Sequence, residues 1–152
     1  MEENEEKEFH INKKLMFKPS SCPNHPSVKM SHPKAIVVHY VGCAGQAPED
    51  VCKYFSDKAH GKGKDAHHQS SAHFVVGIKG DIFQILPKDV QAIHAGGGKG
   101  LTSKALSFGH PNTCTFGIEM CHPTPDKFSD ETIQSTVKLI VYLIRKLVLI
   151  IL

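Results

Sequence analysis

Aromatic residues, paired cysteines and long apolar runs are all scarce in this sequence. Aromatic residues make up only 7% of it, and the basic residues are scattered. No basic stripe alternates with stacking rings, so nucleic acid is not an expected partner. The five cysteines are odd in number and contain no CxxC pair. This argues against a disulfide framework and against a cysteine-rich zinc knuckle.

The sequence also lacks the features of Sec-exported and membrane-spanning proteins. It begins MEENEEKEFHINKK, which is acidic and polar where a Sec signal is basic and then apolar. The apolar stretch from Leu139 is about 14 residues long and is interrupted by Arg145 and Lys146, whereas a bilayer span needs roughly 20 residues. We therefore expect synthesis in the cytoplasm without a Sec signal, and no membrane span.

Length and composition predict one globular domain. The chain has 152 residues, of which 40% are hydrophobic, and this is enough for one core. Glutamate and lysine dominate residues 1–14, which predicts a disordered lead-in, so the domain should occupy residues 15–152. The net charge of +3, with eleven histidines that add charge below neutrality, suits a polyanionic surface such as a cell wall.

Apolar periodicity predicts the secondary structure. Period-two alternation indicates strands, and apolar residues at helical spacing indicate helices. Lys79, Gly80 and Asp81 form a turn that joins two of the strands into a hairpin. The expected fold is α/β, with a single central mixed β-sheet flanked by helices. The predicted strands are 35–41, 72–78, 82–86 and 114–120, and the predicted helices are 48–57 and 130–147.

The most informative stretch is KAIVVHYVG, residues 34–42, which predicts a buried strand. Alternate side chains of a strand share a face, so His39 lies on one side of the sheet with Val37 and Val41. The residues alone leave two interpretations open. His39 is either a core histidine satisfied by a backbone carbonyl, or a histidine that holds a metal or a proton at the end of a strand.

A second polar residue lies in the strand TCTFGIEMC, residues 113–121. Glu119 is costly to bury without a partner, so it needs either a salt bridge to a lysine or a chemical role. His39, His73 and Glu119 each lie on a strand of the predicted sheet and can converge. The glycine-rich stretch 87–112, which contains His94, is long enough to predict a binding loop.

Four blocks occur in order along the chain: IVVHYVG, SAHFVVGIKGDIFQILP, AIHAGG and FGIEMC. Together they resemble the zinc-dependent N-acetylmuramoyl-L-alanine amidases of the type-2 amidase and peptidoglycan-recognition family. The nearest likeness is to phage and prophage endolysins of Gram-positive bacteria, and it covers most of the chain. The resemblance implies a Zn²⁺-dependent hydrolase that cleaves the bond between N-acetylmuramoyl and L-alanine in peptidoglycan, at the bacterial cell wall.

The resemblance also implies roles for individual residues. His39 matches a zinc ligand, and Glu119 matches the catalytic acid/base. His94 and His73 match positions beside the substrate groove, where His73 is alternatively a structural residue. A zinc-bound water would then attack the amide, and Glu119 would pass the water's proton to the leaving nitrogen.

The family pattern continues past the last helix into a segment that carries a second zinc histidine and a third ligand. This sequence ends at Leu152, so we expect the domain to lack that C-terminal segment, with weak zinc binding and low activity. Two alternatives stay open. One is a non-catalytic peptidoglycan-binding module that has kept the groove and lost the metal. The other is a metal-independent hydrolase that uses His39, His73 and Glu119, although no serine or cysteine stands in a nucleophile context.

Overall fold

The structure is a computed structural model that describes residues 10–13, 24, 28–30, 32–59, 69–96 and 109–151. Within these residues the chain forms five strands and three helices. The strands are β1 Ile11–Lys13, β2 Ala35–Tyr40, β3 Phe74–Val76, β4 Ile82–Gln84 and β5 Thr115–Met120. The helices are α1 Pro48–Ala59, α2 Pro111–Cys114 and α3 Asp130–Ile151.

The strands form one mixed sheet in the order β1-β4-β3-β5-β2. β3 and β4 are antiparallel and form the predicted hairpin, in which Gly80 takes the positive φ of +80° that its turn requires. The other neighbouring pairs are parallel. This confirms the predicted class, a single mixed β-sheet flanked by helices.

Among the described residues, two apolar clusters, one on each face of the sheet, make up the core. On one face, residues of β3 and β5 pack against α3, as in the contact of Phe74 and Ile118 with Leu139 and Leu143. On the other face, Val75 packs in a cluster with residues of α1. Within β3, β4 and β5 the predicted alternation is confirmed, because Phe74, Val76, Ile82, Phe116 and Ile118 lie in the α3 cluster and Val75 and Phe83 lie in the other. Outside these strands it does not hold, since Ala72 lies with Val75, and the neighbours Ile85 and Leu86 lie in one cluster. The result is a three-layer arrangement of α1, sheet and α3.

The structure corrects two predictions about the strands. Residues 11–13 fall inside the predicted lead-in of residues 1–14, yet they form β1, because Ile11 packs partly buried against the α3 cluster and the backbone pairs with β4. The predicted buried strand around His39 lies at the end of the described sheet, as β2. It pairs with β5 alone among the described strands, and Tyr40 is 67% exposed.

Helix α3 begins where the sequence predicts and continues to Ile151, beyond the predicted end at residue 147. Ser129 caps it, accepting a hydrogen bond from the backbone N–H of Thr132 at 3.1 Å. The hydroxyl of Thr132 donates to the Gly77 carbonyl at 2.9 Å, which ties the start of the helix to the end of β3. Among the described residues, no helix is both long enough and apolar enough to cross a membrane.

The two faces of α3 lead to a prediction about stability. Leu139 is fully buried against the sheet, whereas Val137 is 54% exposed on the opposite side of the same helix. We expect Leu139→Ala to lower the free energy of unfolding by about 2–5 kcal/mol, since it removes core contacts and leaves a cavity. The matched control Val137→Ala should change it by less than about 0.5 kcal/mol. Urea denaturation of both variants measures the difference, and equal losses would contradict the packing described here.

Candidate active site

The site begins with the parallel pairing of β2 and β5. His39 and Glu119 are register partners in these neighbouring strands, so their side chains lie on the same face of the sheet. Each is the fifth residue of a six-residue strand, close to its carboxyl end. Ligand sites of open α/β sheets form at this end of parallel strands. The convergence of His39 with Glu119 that the sequence predicted is therefore confirmed.

A cleft of about 620 Å³ opens over this face of the sheet. Glu119 and His94 reach into it from the sheet side, and Val51, Tyr54 and Phe55 of α1 form part of its wall. A cleft of this size, lined by apolar side chains with a few polar groups, is typical of a binding site. The remaining lining residues are Tyr40, Val41, Gly42, Cys43, Gln46, Gln69, Ser70, Ser71, Ile93 and Gly96.

Glu119 is a largely buried carboxyl group in this cleft. Burial raises the pKa of Glu119 from its usual 4.5 to about 7, because water no longer stabilises the charged form. Within the described part of the chain, no lysine or arginine lies within salt-bridge distance of it. The salt bridge that the sequence left open as an alternative therefore has no partner among these residues. A carboxyl group that ionises near neutral pH is suited to accept and return a proton.

His94 joins the site from the segment that follows β4. Its Nδ1 lies 2.9 Å from Nε2 of His39, and its Nε2 lies 3.1 Å from the hydroxyl of Thr115. Burial, with smaller contributions from His73 and His39, lowers the pKa of His94 to about 3. Burial also lowers the pKa of His39. Both imidazoles are therefore neutral at neutral pH.

The position of His94 depends on Gly117 and Asn112, two residues for which the sequence suggested no role. A Cβ atom on Gly117 would lie 2.8 Å from Cγ of His94, so the imidazole occupies the space that a side chain would fill. The side-chain oxygen of Asn112 accepts hydrogen bonds from the backbone N–H groups of His94 and Ala95, at 3.0 and 2.9 Å. A glycine inside a strand often marks a place where another group approaches the backbone closely. This feature of the sequence could have indicated the role of Gly117. The contact of Asn112 joins residues eighteen positions apart in the sequence and leaves no local pattern.

His73 lies behind the site and does not reach the cleft. It is completely buried, its Nδ1 accepts the backbone N–H of Gly117 at 3.1 Å, and its Nε2 donates to the Val90 carbonyl at 2.8 Å. Both ring nitrogens are therefore satisfied by backbone, and burial lowers the pKa of His73 to about 4. The predicted substrate contact of His73 is wrong for this reason, whereas its alternative structural role agrees with these contacts.

The residues at the site supply only part of a zinc-binding set. A catalytic zinc is held by three protein ligands and keeps a fourth position for water. Among the described residues, no group of three histidine, cysteine, aspartate or glutamate side chains is arranged to hold a metal ion. His39 and His94 are neutral imidazoles of the kind that bind zinc, but they point ring nitrogens at each other. The described residues alone therefore do not form a complete zinc site.

Cysteine chemistry is not supported at this cleft. Cys121 is fully buried in the core, and burial raises the pKa of its thiol to about 12. Cys43 is exposed and lines the cleft, but no hydrogen bond joins it to a histidine within the described residues.

Fold and cleft together define an α/β protein with a hydrolase-type site made of one carboxyl group and neutral histidines.

Comparison with known proteins agrees with this class. The model of the N-acetylmuramoyl-L-alanine amidase family matches residues 29–150. The chain therefore belongs to the N-acetylmuramoyl-L-alanine amidase family. Members of this family hydrolyse the amide bond between N-acetylmuramoyl and L-alanine in the peptidoglycan of the cell wall. No curated protein sequence matches this chain significantly.

Several solved structures share the fold. A mutant endolysin from Bacillus subtilis is 26% identical with a TM-score of 0.64, and the match covers 90% of this chain and 76% of that one. The catalytic domain of XlyA is 23% identical with a TM-score of 0.67, covering 91% and 78%. The N-acetylmuramoyl-L-alanine amidase LysC from Clostridium intestinale URNW is 16% identical with a TM-score of 0.60, covering 91% and 77%. At their lower identities the last two show the shared fold alone.

The buried carboxyl group leads to a prediction about pH and stability. The folded chain holds the Glu119 proton up to a pKa of about 7, whereas the unfolded chain releases it near 4.5. The stabilisation due to Glu119 is therefore complete below pH 4.5 and is lost as the pH rises to 7, by up to about 3 kcal/mol. Relative to wild type, Glu119→Gln should gain that amount between these two pH values. Denaturant unfolding across this range measures it, with Glu131→Gln on the exposed side of α3 as the control.

The close approach at β5 leads to a second prediction at the site. In Gly117→Ala the new methyl group must displace the His94 ring, so we expect a loss of about 1–3 kcal/mol from overpacking. The matched control is Gly42→Ala, because a Cβ atom at Gly42 meets no atom within 4 Å. That control should stay within about 0.5 kcal/mol of wild type. If both variants unfold at the same urea concentration as wild type, His94 does not lie against Gly117.

Proposed function

We propose that this chain hydrolyses the amide bond between N-acetylmuramoyl and L-alanine in peptidoglycan, with Glu119 as the general acid/base. The chain belongs to a family that performs this reaction, and the proposal assigns the reaction to particular residues. The observation that carries it is the state of Glu119. Its carboxyl group faces the cleft, is largely buried, and has a pKa raised to about 7.

Hydrolysis of an amide needs a base that activates water and an acid that protonates the leaving nitrogen. In this proposal the carboxylate of Glu119 accepts the proton of the attacking water and then donates it to the nitrogen of L-alanine. A group with a pKa near 7 performs both steps efficiently at neutral pH, since neither protonation state is rare. The apolar wall of α1 limits the access of bulk water and keeps that pKa high.

We propose His39 as one protein ligand of a Zn²⁺ ion and His94 as a residue that contacts the muramyl-peptide in the cleft. His39 fits this role because it lies beside Glu119 at the carboxyl end of β2. When bound, zinc polarises the scissile carbonyl and lowers the pKa of a bound water to about 7. The other ligands of the ion are not assigned to any described residue. We further propose a lysin of the phage or prophage type that acts at the bacterial cell wall.

Peptidoglycan cleavage by Glu119→Gln tests the catalytic proposal. The variant keeps the shape of the side chain but cannot exchange a proton, so we expect the rate to fall by about 100-fold or more. The rate is measured as the appearance of free L-alanine amino groups in purified peptidoglycan, in buffer supplemented with zinc. Glu131→Gln, an exposed change far from the cleft, should retain the wild-type rate.

The same experiment separates the enzyme from a non-catalytic binding module. Co-sedimentation with peptidoglycan is measured for wild type and for Glu119→Gln. If the protein is an enzyme, wild type should release amino groups from peptidoglycan. Glu119→Gln should sediment with peptidoglycan without cleaving it. If wild type binds peptidoglycan but releases no amino groups, the binding-module interpretation replaces the one proposed here.

A further inference from the structure

His122 follows the carboxyl end of β5, and its imidazole contacts two backbone carbonyl groups. Its Nε2 lies 2.7 Å from the carbonyl oxygen of Val41, and its Nδ1 lies 2.7 Å from that of Thr124. The residue is buried, with 4% of its surface exposed. A carbonyl oxygen accepts hydrogen bonds and has no proton to donate. Both ring nitrogens can therefore be satisfied only if each carries a proton.

An imidazole with a proton on both nitrogens is a cation. In the neutral ring, one nitrogen would present its lone pair to a carbonyl oxygen at 2.7 Å, which is repulsive. The carbonyls of Val41 and Thr124 raise the pKa of His122 above its usual 6.5, although burial opposes this. Among the described residues, no carboxylate lies within salt-bridge distance of the ring. Backbone dipoles, rather than a counter-ion, therefore stabilise the charge.

The other groups around the imidazole are two aromatic rings and three titratable side chains. Tyr40 of β2 and Phe128, just before α3, meet it edge to face, with ring centroids 5.9 and 5.6 Å away. Asp126 and Lys127 are exposed in the adjoining turn, and Cys43 is exposed in the segment after β2. Within the described part of the chain, no ion pair joins any of these three to the imidazole. The two carbonyls therefore determine its charge.

The same residue contacts one side of the cleft, formed by residues 41–45 and called the cleft rim below. Residues 41–43 of this segment line the cleft. At one end of the rim, the carbonyl of Val41 accepts the hydrogen bond from the imidazole. At the other end, the N–H of Gly45 donates to the backbone carbonyl of His122 at 2.8 Å. The side chain and the backbone of His122 therefore bind both ends of the cleft rim.

We propose that His122 is a doubly protonated positioning residue, which ties the cleft rim to the turn at residues 124–127 and fixes the shape of the site on that side. Hydrogen bonds from a charged donor are about twice as strong as those between neutral groups. The imidazolium therefore binds the rim more firmly than a neutral side chain would. An effect on substrate rests on the proposed function, because the rim contacts a muramyl-peptide only if the cleft binds one.

The charge of His122 makes its contribution to stability depend on pH. The folded chain retains the second proton of the ring above pH 6.5, where the unfolded chain releases it. The stabilisation is therefore complete below pH 6.5 and is lost as the pH rises through the higher pKa of the folded state. The contact with Thr124 is the less buried of the two, so water can replace it. The neutral ring should then keep its proton on Nε2, facing Val41.

NMR of protein labelled with ¹⁵N-histidine tests the charge. The signals of His122 are assigned from their loss in His122→Phe. A histidine with the ordinary pKa of about 6.5 is mostly neutral at pH 7. We expect both ring nitrogens of His122 to be predominantly protonated at that pH, and the proton on Nδ1 to be the one released at higher pH. A ring that is mostly neutral at pH 7, or that titrates at or below pH 6.5, would overturn the proposal.

Amide hydrogen exchange tests the contact with the cleft rim. In His122→Phe the ring keeps its aromatic contacts, but the Val41 carbonyl loses its donor. We expect the N–H of Gly45 to exchange about 10-fold faster, the factor that one hydrogen bond of ordinary strength represents. The N–H of Val90, which donates to a carbonyl outside the cleft lining, should keep its rate. Equal acceleration of both would indicate global destabilisation and contradict a local role.

Two further variants complete the exchange experiment. His32→Phe makes the same change at an exposed histidine and should leave the exchange of Gly45 unchanged. His122→Gln replaces His122→Phe if the latter does not fold, for the exchange measurement and for the NMR assignment. Its amide can donate to one of the two carbonyls, so it should accelerate Gly45 less than loss of both bonds. No acceleration in either folded variant would contradict the proposal.

Cleavage of a soluble muramyl-peptide connects His122 with the site. His122→Phe should raise KM about 10-fold and change kcat by less than about twofold, because it alters the cleft wall without touching the reacting groups. His32→Phe should keep both constants. A large fall in kcat with KM unchanged would contradict a positioning role. If wild type cleaves no muramyl-peptide, the proposed function fails, while the NMR spectra and exchange rates still decide the charge and contacts of His122.

Discussion

The register between β2 and β5 is the constraint on which the site depends. These strands pair over six residues, from Ala35 with Thr115 to Tyr40 with Met120. Because side chains alternate, a slip of one residue would move His39 to the α3 face and leave Glu119 without it. The pairing is extended at both ends, where Lys34 donates to the Cys114 carbonyl and Val41 donates to that of Met120. On the α3 face of β2, Ile36 packs partly buried against the apolar cluster, whereas Val38 and Tyr40 are 43% and 67% exposed, so the backbone ladder contributes most to this register.

Burial has one electrostatic effect at every group of the site. It raises the pKa of Glu119 and lowers the pKa values of His39, His73 and His94, so each group favours its neutral form. Neutral groups allow polar chemistry inside an apolar wall without buried counter-ions. The same burial makes ionisation of Glu119 costly to the fold, so the property that suits it to proton transfer reduces stability at neutral pH.

Structural features that depend on neighbouring residues could be predicted from the sequence, whereas contacts between distant segments could not. The alternation around His39 and around Glu119 was sufficient to place both side chains on one face, and the turn at Gly80 was sufficient for the hairpin. The position of β2 at the end of the described sheet depends on the order of strands, which alternation does not encode. The structural role of His73 depends on Val90, seventeen residues away, and on Gly117, forty-four residues away. Such contacts leave no periodic signal in a single sequence.

The short helix α2 explains how a histidine from an irregular segment acquires a defined orientation. His94 belongs to no strand or helix, and residues of that kind are usually less precisely placed than those of regular elements. Three contacts fix its position instead. The side-chain oxygen of Asn112 accepts a hydrogen bond from its backbone N–H, and the hydroxyl of Thr115 is hydrogen-bonded to its Nε2. The ring packs against Gly117, which has no side chain. All three come from the continuous stretch 111–120, which also carries Glu119. Glu119 and His94 are thus positioned by the same stretch of backbone, and a shift of β5 would displace both together.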